Sequence, residues 1–168
     1  MEKNKVKFIT KSAMIAAAYA AITFMFSWMS YDNIQFRISE ILVLLAFIDP
    51  KYTTGLVIGC ILANLPSPLG VIDVILGPTA TMLAILFIIG VRKALGKNKK
   101  ALIISSIGPV ISNAVIVGLE LTYLFNTPFW VNVFYVGIGE FVVVTLVGTV
   151  VLSTIMKDDR LVEKLTLN

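Results

Sequence analysis

Two glutamates sit inside apolar runs long enough to cross a bilayer, with no lysine or arginine in either run: Glu120 in AVIVGLELTYLF and Glu140 in FYVGIGEFVVVTLVG. A charged side chain at mid-bilayer depth costs about 2.5–3.5 kcal/mol on insertion scales, so such groups mark a ligand, ion or proton site by default. The plainer alternative is a structural hydrogen bond between helices. Asn113 lies seven residues before Glu120, on one helical stripe, and Tyr123 is read onto the same stripe. Gly137, Glu140 and Val144 share a second stripe, with Gly137 and Gly139 leaving room beside the carboxyl.

A second polar grouping is YDNIQFRISE at 31–40, which packs Gln35, Arg37 and Glu40 around Tyr31 and Phe36. One reading is a rim or lid over an outward-facing pocket, with aromatics to stack and polar tips to read an edge. The competing reading is a local salt bridge, since Arg37 and Glu40 are three residues apart at a helix start. A third grouping, Asn64, Asp73, Gly77 and Thr79, surrounds the proline-rich LPSPLG turn. There Asp73 is equally suited to capping the following helix.

Other chemistries are excluded by composition. The chain has no histidine, so no Ser/His/Asp, Cys/His or HExxH arrangement exists. Its one cysteine, Cys60, lies in an apolar run and reads as a small hydrophobe. No metal site, cofactor or catalytic residue is expected. Of the 168 residues, 58% are hydrophobic and 14% charged. Soluble domains carry roughly 25% charged residues, so the chain reads as a single integral membrane domain over 1–168.

Six apolar segments must position these side chains: about 12–30, 38–48, 53–65, 74–95, 101–125 and 129–156. None keeps a period of two, so all are expected to be helices rather than barrel strands. The second and third are short for full crossings and suggest a tilted or partly re-entrant hairpin. With both termini inside, thirteen of the fourteen basic residues fall on the cytoplasmic side: Lys3, Lys5, Lys7, Lys11, Lys51, Arg92, Lys93, Lys97, Lys99, Lys100, Lys157, Arg160 and Lys164. Arg37 is the exception. This topology, not nucleic-acid binding, accounts for the formal charge of +4. The N-terminal basic and apolar stretch reads as a retained first helix, not a cleaved signal. That helix carries Ala13, Ala17 and Ala21 at four-residue spacing, with Ala16 and Ala20 as a second small-residue pair. Either face lets another helix approach closely.

IQFRISE at 34–40, GLVIGCILANLPSPLGVIDVILGPTAT at 55–81, ISNAVIVGLEL at 111–121 and GIGE at 137–140 together resemble the QueT family. The resemblance runs from the first helix to about Gly148. Members are substrate-binding S components of energy-coupling factor (ECF) transporters for queuosine precursors. One departure is ILVLLAF after Glu40, where a proline-containing stretch near ALTVLPF is expected, and this puts the bend of the second helix in question. The resemblance implies an all-α bundle of six transmembrane helices with both termini cytoplasmic, in a bacterial cell membrane. It implies a pocket near the outer leaflet, no ATPase site, and docking on a membrane T component coupled to two cytoplasmic ATPases. The alanine face of the first helix would meet the T component, in the register of Ala13, Ala17 and Ala21 or of Ala16 and Ala20.

A 7-deazaguanine ligand (preQ1, preQ0 or queuine) fits that residue set chemically. A carboxylate accepts both donors of its Watson–Crick edge. Asn113, Gln35 or Arg37 can donate to its carbonyl, and Phe36, Tyr123, Trp130 or Tyr135 can stack on its ring. Glu40, Asp73 and Asn64 complete the candidate site. A second carboxylate would suit an aminomethyl cation better than a neutral nitrile. The rival readings are an S component for another vitamin-like metabolite and an ion-coupled secondary transporter using Glu120 and Glu140.

Overall fold

The computed structural model describes residues 2–30 and 36–166, with side chains from residue 5 onward. Gln35 and Tyr31 lie outside the described residues. Among those described there are only helices and turns. Four helical stretches are long and apolar enough to cross a membrane: Lys5–Met25, Val71–Leu95, Lys99–Phe125 and Phe129–Ile155. The first belongs to α1 (Glu2–Met25), which starts ten residues earlier than the apolar run suggested, and a short turn, α2 (Ser27–Ser30), follows it.

The second and third apolar segments differ from the long helices in kind. Residues Ile38–Leu44 wind as a 3-10 helix that passes into α3 (Leu45–Ile48). Asp49 stops α3, its carboxylate accepting from the Lys51 backbone N–H at 3.0 Å, and Pro50–Tyr52 makes one more 3-10 turn. This stretch, which lacks the proline, is tightly wound over Ile38–Leu44. Next comes α4 (Thr53–Asn64), which at 1.5 Å per residue spans about 18 Å, roughly half a bilayer core.

The long helices α5 (Val71–Leu95) and α6 (Lys99–Phe125) pack along each other. Gly96, at φ 77°, ends α5, and the Asn98 side chain caps α6 by accepting from Ala101 N–H at 2.9 Å. The Asn126–Pro128 turn leads into α7 (Phe129–Glu140), which continues through a π-helical stretch, Phe141–Gly148, into α8 (Thr149–Ile155). Asn132 fastens this turn, donating to Thr122 at 2.9 Å and Thr127 at 2.8 Å. A last short helix, α9 (Asp159–Leu165), folds back onto the start of the chain. Lys11 donates to the Lys164 carbonyl at 2.5 Å and to that of Thr166 at 3.2 Å, and Tyr52 donates to that of Leu165 at 2.5 Å. These bonds satisfy carbonyls that a helix C-terminus leaves open.

Residues Val43–Ile48 are buried and form the centre of the main core, with Tyr19, Leu56, Cys60, Ile85, Ile88, Leu102, Val144 and Leu152 around them. Close approach of α1 and α4 depends on Gly55 and Gly59. A Cβ at Gly55 would lie 2.6 Å from the Ser12 carbonyl oxygen, and one at Gly59 would lie 2.8 Å from Tyr19 Cβ. Two small residues four apart let helix backbones meet in this way. The contact turns Ser12, Ala16, Tyr19, Ala20 and Thr23 inward and leaves Ala13, Ala17 and Ala21 exposed. The chain therefore alternates direction between two ends. Lys11, Lys51, the Gly96–Asn98 turn and α9 lie at one; Phe36, the 65–70 turn and the Asn126–Pro128 turn lie at the other.

Candidate functional site

The end of the bundle away from the lysines holds most of the buried polar chemistry. The 3-10 winding carries Arg37 and Glu40 inward: in such a helix, residues three apart eclipse one another, and the Glu40 N–H bonds the Arg37 carbonyl at 2.9 Å. Both side chains are buried. Arg37, Ser39 and Glu40 are thus interior; residues 31–35 of the stretch read as a lid or rim lie outside the described residues. Phe36 is half-buried and packs against the main core.

Arg37 pairs with Asp73, Nη2 to Oδ2 at 3.8 Å, with 4% and 1% of the two side chains exposed. Asp73 does not cap α5. The cap position is Gly70, and α5 begins at Val71, three residues earlier than the apolar run, so Asp73 lies in its first turn. Asn64, at the end of α4, donates to the Asp73 carbonyl at 3.0 Å. Gly77 makes room for this contact, since a Cβ there would run into the Asn64 side chain and sit 3.1 Å from Asp73 Oδ1. Thr79 points away, exposed and bonded to the Ile75 carbonyl at 2.7 Å.

Glu40 is held by residues that the sequence did not single out. Its Oε1 accepts from the Tyr19 hydroxyl of α1 and from Thr81 Oγ1 of α5 at 3.4 Å. Thr81 also lies 3.3 Å from Cys60 Sγ, and Thr23 and Ser39 share a hydrogen bond at 2.7 Å. Asn113, in the middle of α6, lies beside both Glu40 and Glu140. Glu140 is the last α-helical residue before the π stretch, a winding that recurs at functional positions. Glu120 lies within electrostatic reach of Asp73 and Arg37. Seven of the expected residues thus converge: Arg37, Glu40, Asn64, Asp73, Asn113, Glu120 and Glu140.

The expected aromatic platforms do not join them. Tyr123 is 75% exposed and Trp130 77%, and Tyr135 also faces outward. At 3.6 residues per turn, Tyr123 is rotated about 60° from Glu120, and Tyr135 about 140° from Glu140. Gly137 packs against Ala114 of α6. It lines an apolar groove of about 390 Å³ on the outside of α6 and α7, away from the carboxyls.

What sets the cluster apart is its excess of acceptors. Seven side-chain oxygens of Glu40, Asn64, Asp73, Glu120 and Glu140 are buried without a hydrogen-bond partner, including both oxygens of Glu120; on the donor side, Asn113 Nδ2 also lacks one. Leaving a buried polar group unsatisfied costs about 1–3 kcal/mol, more when it is charged. Native proteins keep few such groups. One guanidinium faces four carboxyl groups here, so the arrangement suits a small molecule rich in N–H donors.

A family profile described as "QueT transporter" matches residues 9–157. A curated relative from Lactococcus lactis subsp. cremoris (strain MG1363), "Queuosine precursor transporter QueT", is 35% identical over 150 residues, covering 84% of this chain and 88% of the relative. No solved structure matches the chain.

Proposed function

The chain belongs to the QueT transporter family, and on that premise we propose that it is the substrate-binding S component of an ECF importer, taking up a 7-deazaguanine queuosine precursor. The observation that carries this reading is the buried acceptor cluster. A deazaguanine brings two adjacent N–H donors on one edge, and its aminomethyl derivative, preQ1, adds a cation. Three carboxyls beyond the Arg37–Asp73 pair favour preQ1 over the nitrile preQ0. The Arg37 guanidinium and the Asn113 amide are the donors for the ring carbonyl.

In this reading residues 1–168 form one membrane domain, with four full-length helices and two half-length segments completing six passes. Both termini are cytoplasmic, because the basic residues gather at the end opposite the site. The cluster then lies in the outer half of the membrane; Glu120, five residues from the end of α6, is about 8 Å below it. ATP hydrolysis belongs to two partner ATPases, reached through a T component. Ala13, Ala17 and Ala21 are the docking register, since Ala16 and Ala20 are buried in the protein's own packing.

The test is binding to the detergent-purified protein, by calorimetry, of preQ1, preQ0, queuine and a panel of vitamins, with mass spectrometry of any co-purified ligand. The expected result is saturable binding of preQ1, tighter than preQ0. Binding of a vitamin and of no deazaguanine would overturn the ligand class. Uptake persisting in cells without the ATPases would overturn the importer assignment.

A further inference from the structure

The carboxyls of the cluster are not equivalent, and we infer that they divide recognition: Glu120 reads the two-donor edge of the ring, while Glu40 and Glu140, with Asn113 between them, form a separate cation subsite in which Tyr19 and Thr81 position Glu40. This inference rests on the ligand class proposed above and assigns its parts to atoms.

The argument counts free oxygens. Two adjacent N–H donors are matched by two oxygens of one carboxylate. Glu120 has both of its oxygens buried and without a partner. Glu40 presents no such open pair: Oε1 already accepts from the Tyr19 hydroxyl, with Thr81 Oγ1 at 3.4 Å shared between it and Cys60 Sγ, and only Oε2 is without a partner. Asp73 also has both oxygens without a hydrogen-bond partner, but its charge is paired with Arg37 at 3.8 Å. Among the described residues this leaves Glu120 as the carboxyl with two open oxygens and no cation beside it at ion-pair distance. Glu140, like Glu40, has a buried Oε2 without a partner, and the two carboxyls are close enough to act on each other electrostatically.

A primary ammonium has the opposite requirement. It is a compact charge with three donors that point apart. Single oxygens converging from separate side chains satisfy it better than one bidentate carboxylate. Asn113, beside both Glu40 and Glu140, has its Nδ2 without a partner, so it supplies the donor for the ring carbonyl next to this subsite and not a further acceptor for the ammonium. Asn113 and Glu120 are two helical turns apart on α6, about 10.5 Å along the axis. That separation suits a two-ring heterocycle with a polar contact at each end.

Tyr19 has no expected contact with the ligand. Its hydroxyl fixes which oxygen of Glu40 is left to accept, so it is a positioning residue. A purely structural role would make its loss weaken all ligands alike.

Calorimetric titration of the full-length protein with preQ1 and preQ0 tests the division, using Glu120→Gln, Glu140→Gln, Glu40→Gln and Tyr19→Phe, with ligand-free melting as the folding control. Glu120→Gln should weaken both probes by the same factor, about tenfold or more. Glu140→Gln and Glu40→Gln should weaken preQ1 by about tenfold or more while changing preQ0 less than about threefold. Tyr19→Phe should follow Glu40→Gln with a smaller loss, and it stands in if Glu40→Gln does not fold. Equal losses for both probes in Glu140→Gln and Tyr19→Phe, or a preQ1-selective loss in Glu120→Gln, would overturn the inference. Failure of the wild-type protein to bind either probe would instead overturn the ligand class, a distinct result.

Discussion

Replacing Arg37 with methionine tests whether the cluster is one electrostatic unit. Methionine retains most of the apolar stem and removes only the charge and the donors. Arg37 Nη2 lies 3.8 Å from Asp73 Oδ2, with both side chains buried. At an effective dielectric constant of 20, that separation corresponds to about 4 kcal/mol, inside the range of about 3–5 kcal/mol for breaking a buried pair by removing one partner. For a chain of this size about 4 kcal/mol becomes a drop in melting temperature of about 8–16 °C. Cys60 supplies the readout: it is a single, buried thiol, so a maleimide dye reports unfolding in detergent. The Asp73→Asn variant and the double variant complete a cycle. If Arg37 served Asp73 alone, the double variant would melt near the wild type. Glu40, Glu120 and Glu140 also lie within reach of Arg37, so only part of the loss should return. Full recovery in the double variant, or an Arg37→Met melt within about 2 °C of wild type, would refute the reasoning.

Two further predictions address the scaffold around the site. Gly59→Ala should lower the melting temperature, because its Cβ would meet Tyr19 Cβ at 2.8 Å and the Ala16 backbone at 3.0 Å; overpacking of this kind costs about 1–3 kcal/mol. Gly90→Ala, with nothing within 4 Å, should stabilise α5 by about 0.5–1 kcal/mol, and matching signs for the two in the same melt would argue against the α1–α4 packing. On α1, Ala17→Trp should leave folding and ligand binding unchanged and abolish uptake in cells that contain the partner subunits, whereas Ala16→Trp should prevent folding, because Ala17 is exposed and Ala16 buried. Unimpaired uptake by Ala17→Trp would count against the docking register.

The sequence carried the positions of the helices and most of the buried charged residues, though few of the buried hydroxyls, because intramembrane charge and proline- or glycine-rich turns are local signals. Glu120, Glu140, Arg37 and Asp73 are conspicuous wherever their helices point. The phase of those helices was much less legible. A helix that is apolar all round has no polar face to fix its rotation, so Tyr123 passed as a pocket aromatic on spacing and Trp130 on its ring chemistry alone, and the structure turns both outward. Winding was also hidden: nothing in ISEILVL or FVVVTLVG marks the first as 3-10 and the second as π, although these carry Glu40 inward and follow directly on Glu140.

The two alanine registers of α1 were equivalent in sequence because the residues that separate them are not on α1. Gly55 and Gly59 of α4 admit the backbone around Ser12 and Ala16, and that contact turns Ala16 and Ala20 inward. The same choice of phase places Tyr19 and Thr23 against Glu40 and Ser39. Ala17 is two residues from Tyr19, so the exposed stripe lies about 160° around the helix from the hydroxyl that orients Glu40. A single rigid element therefore presents the candidate site on one side and a smooth, small-residue surface on the other. A rotation of α1 large enough to remake the outer surface would also break the hydrogen bond to Glu40.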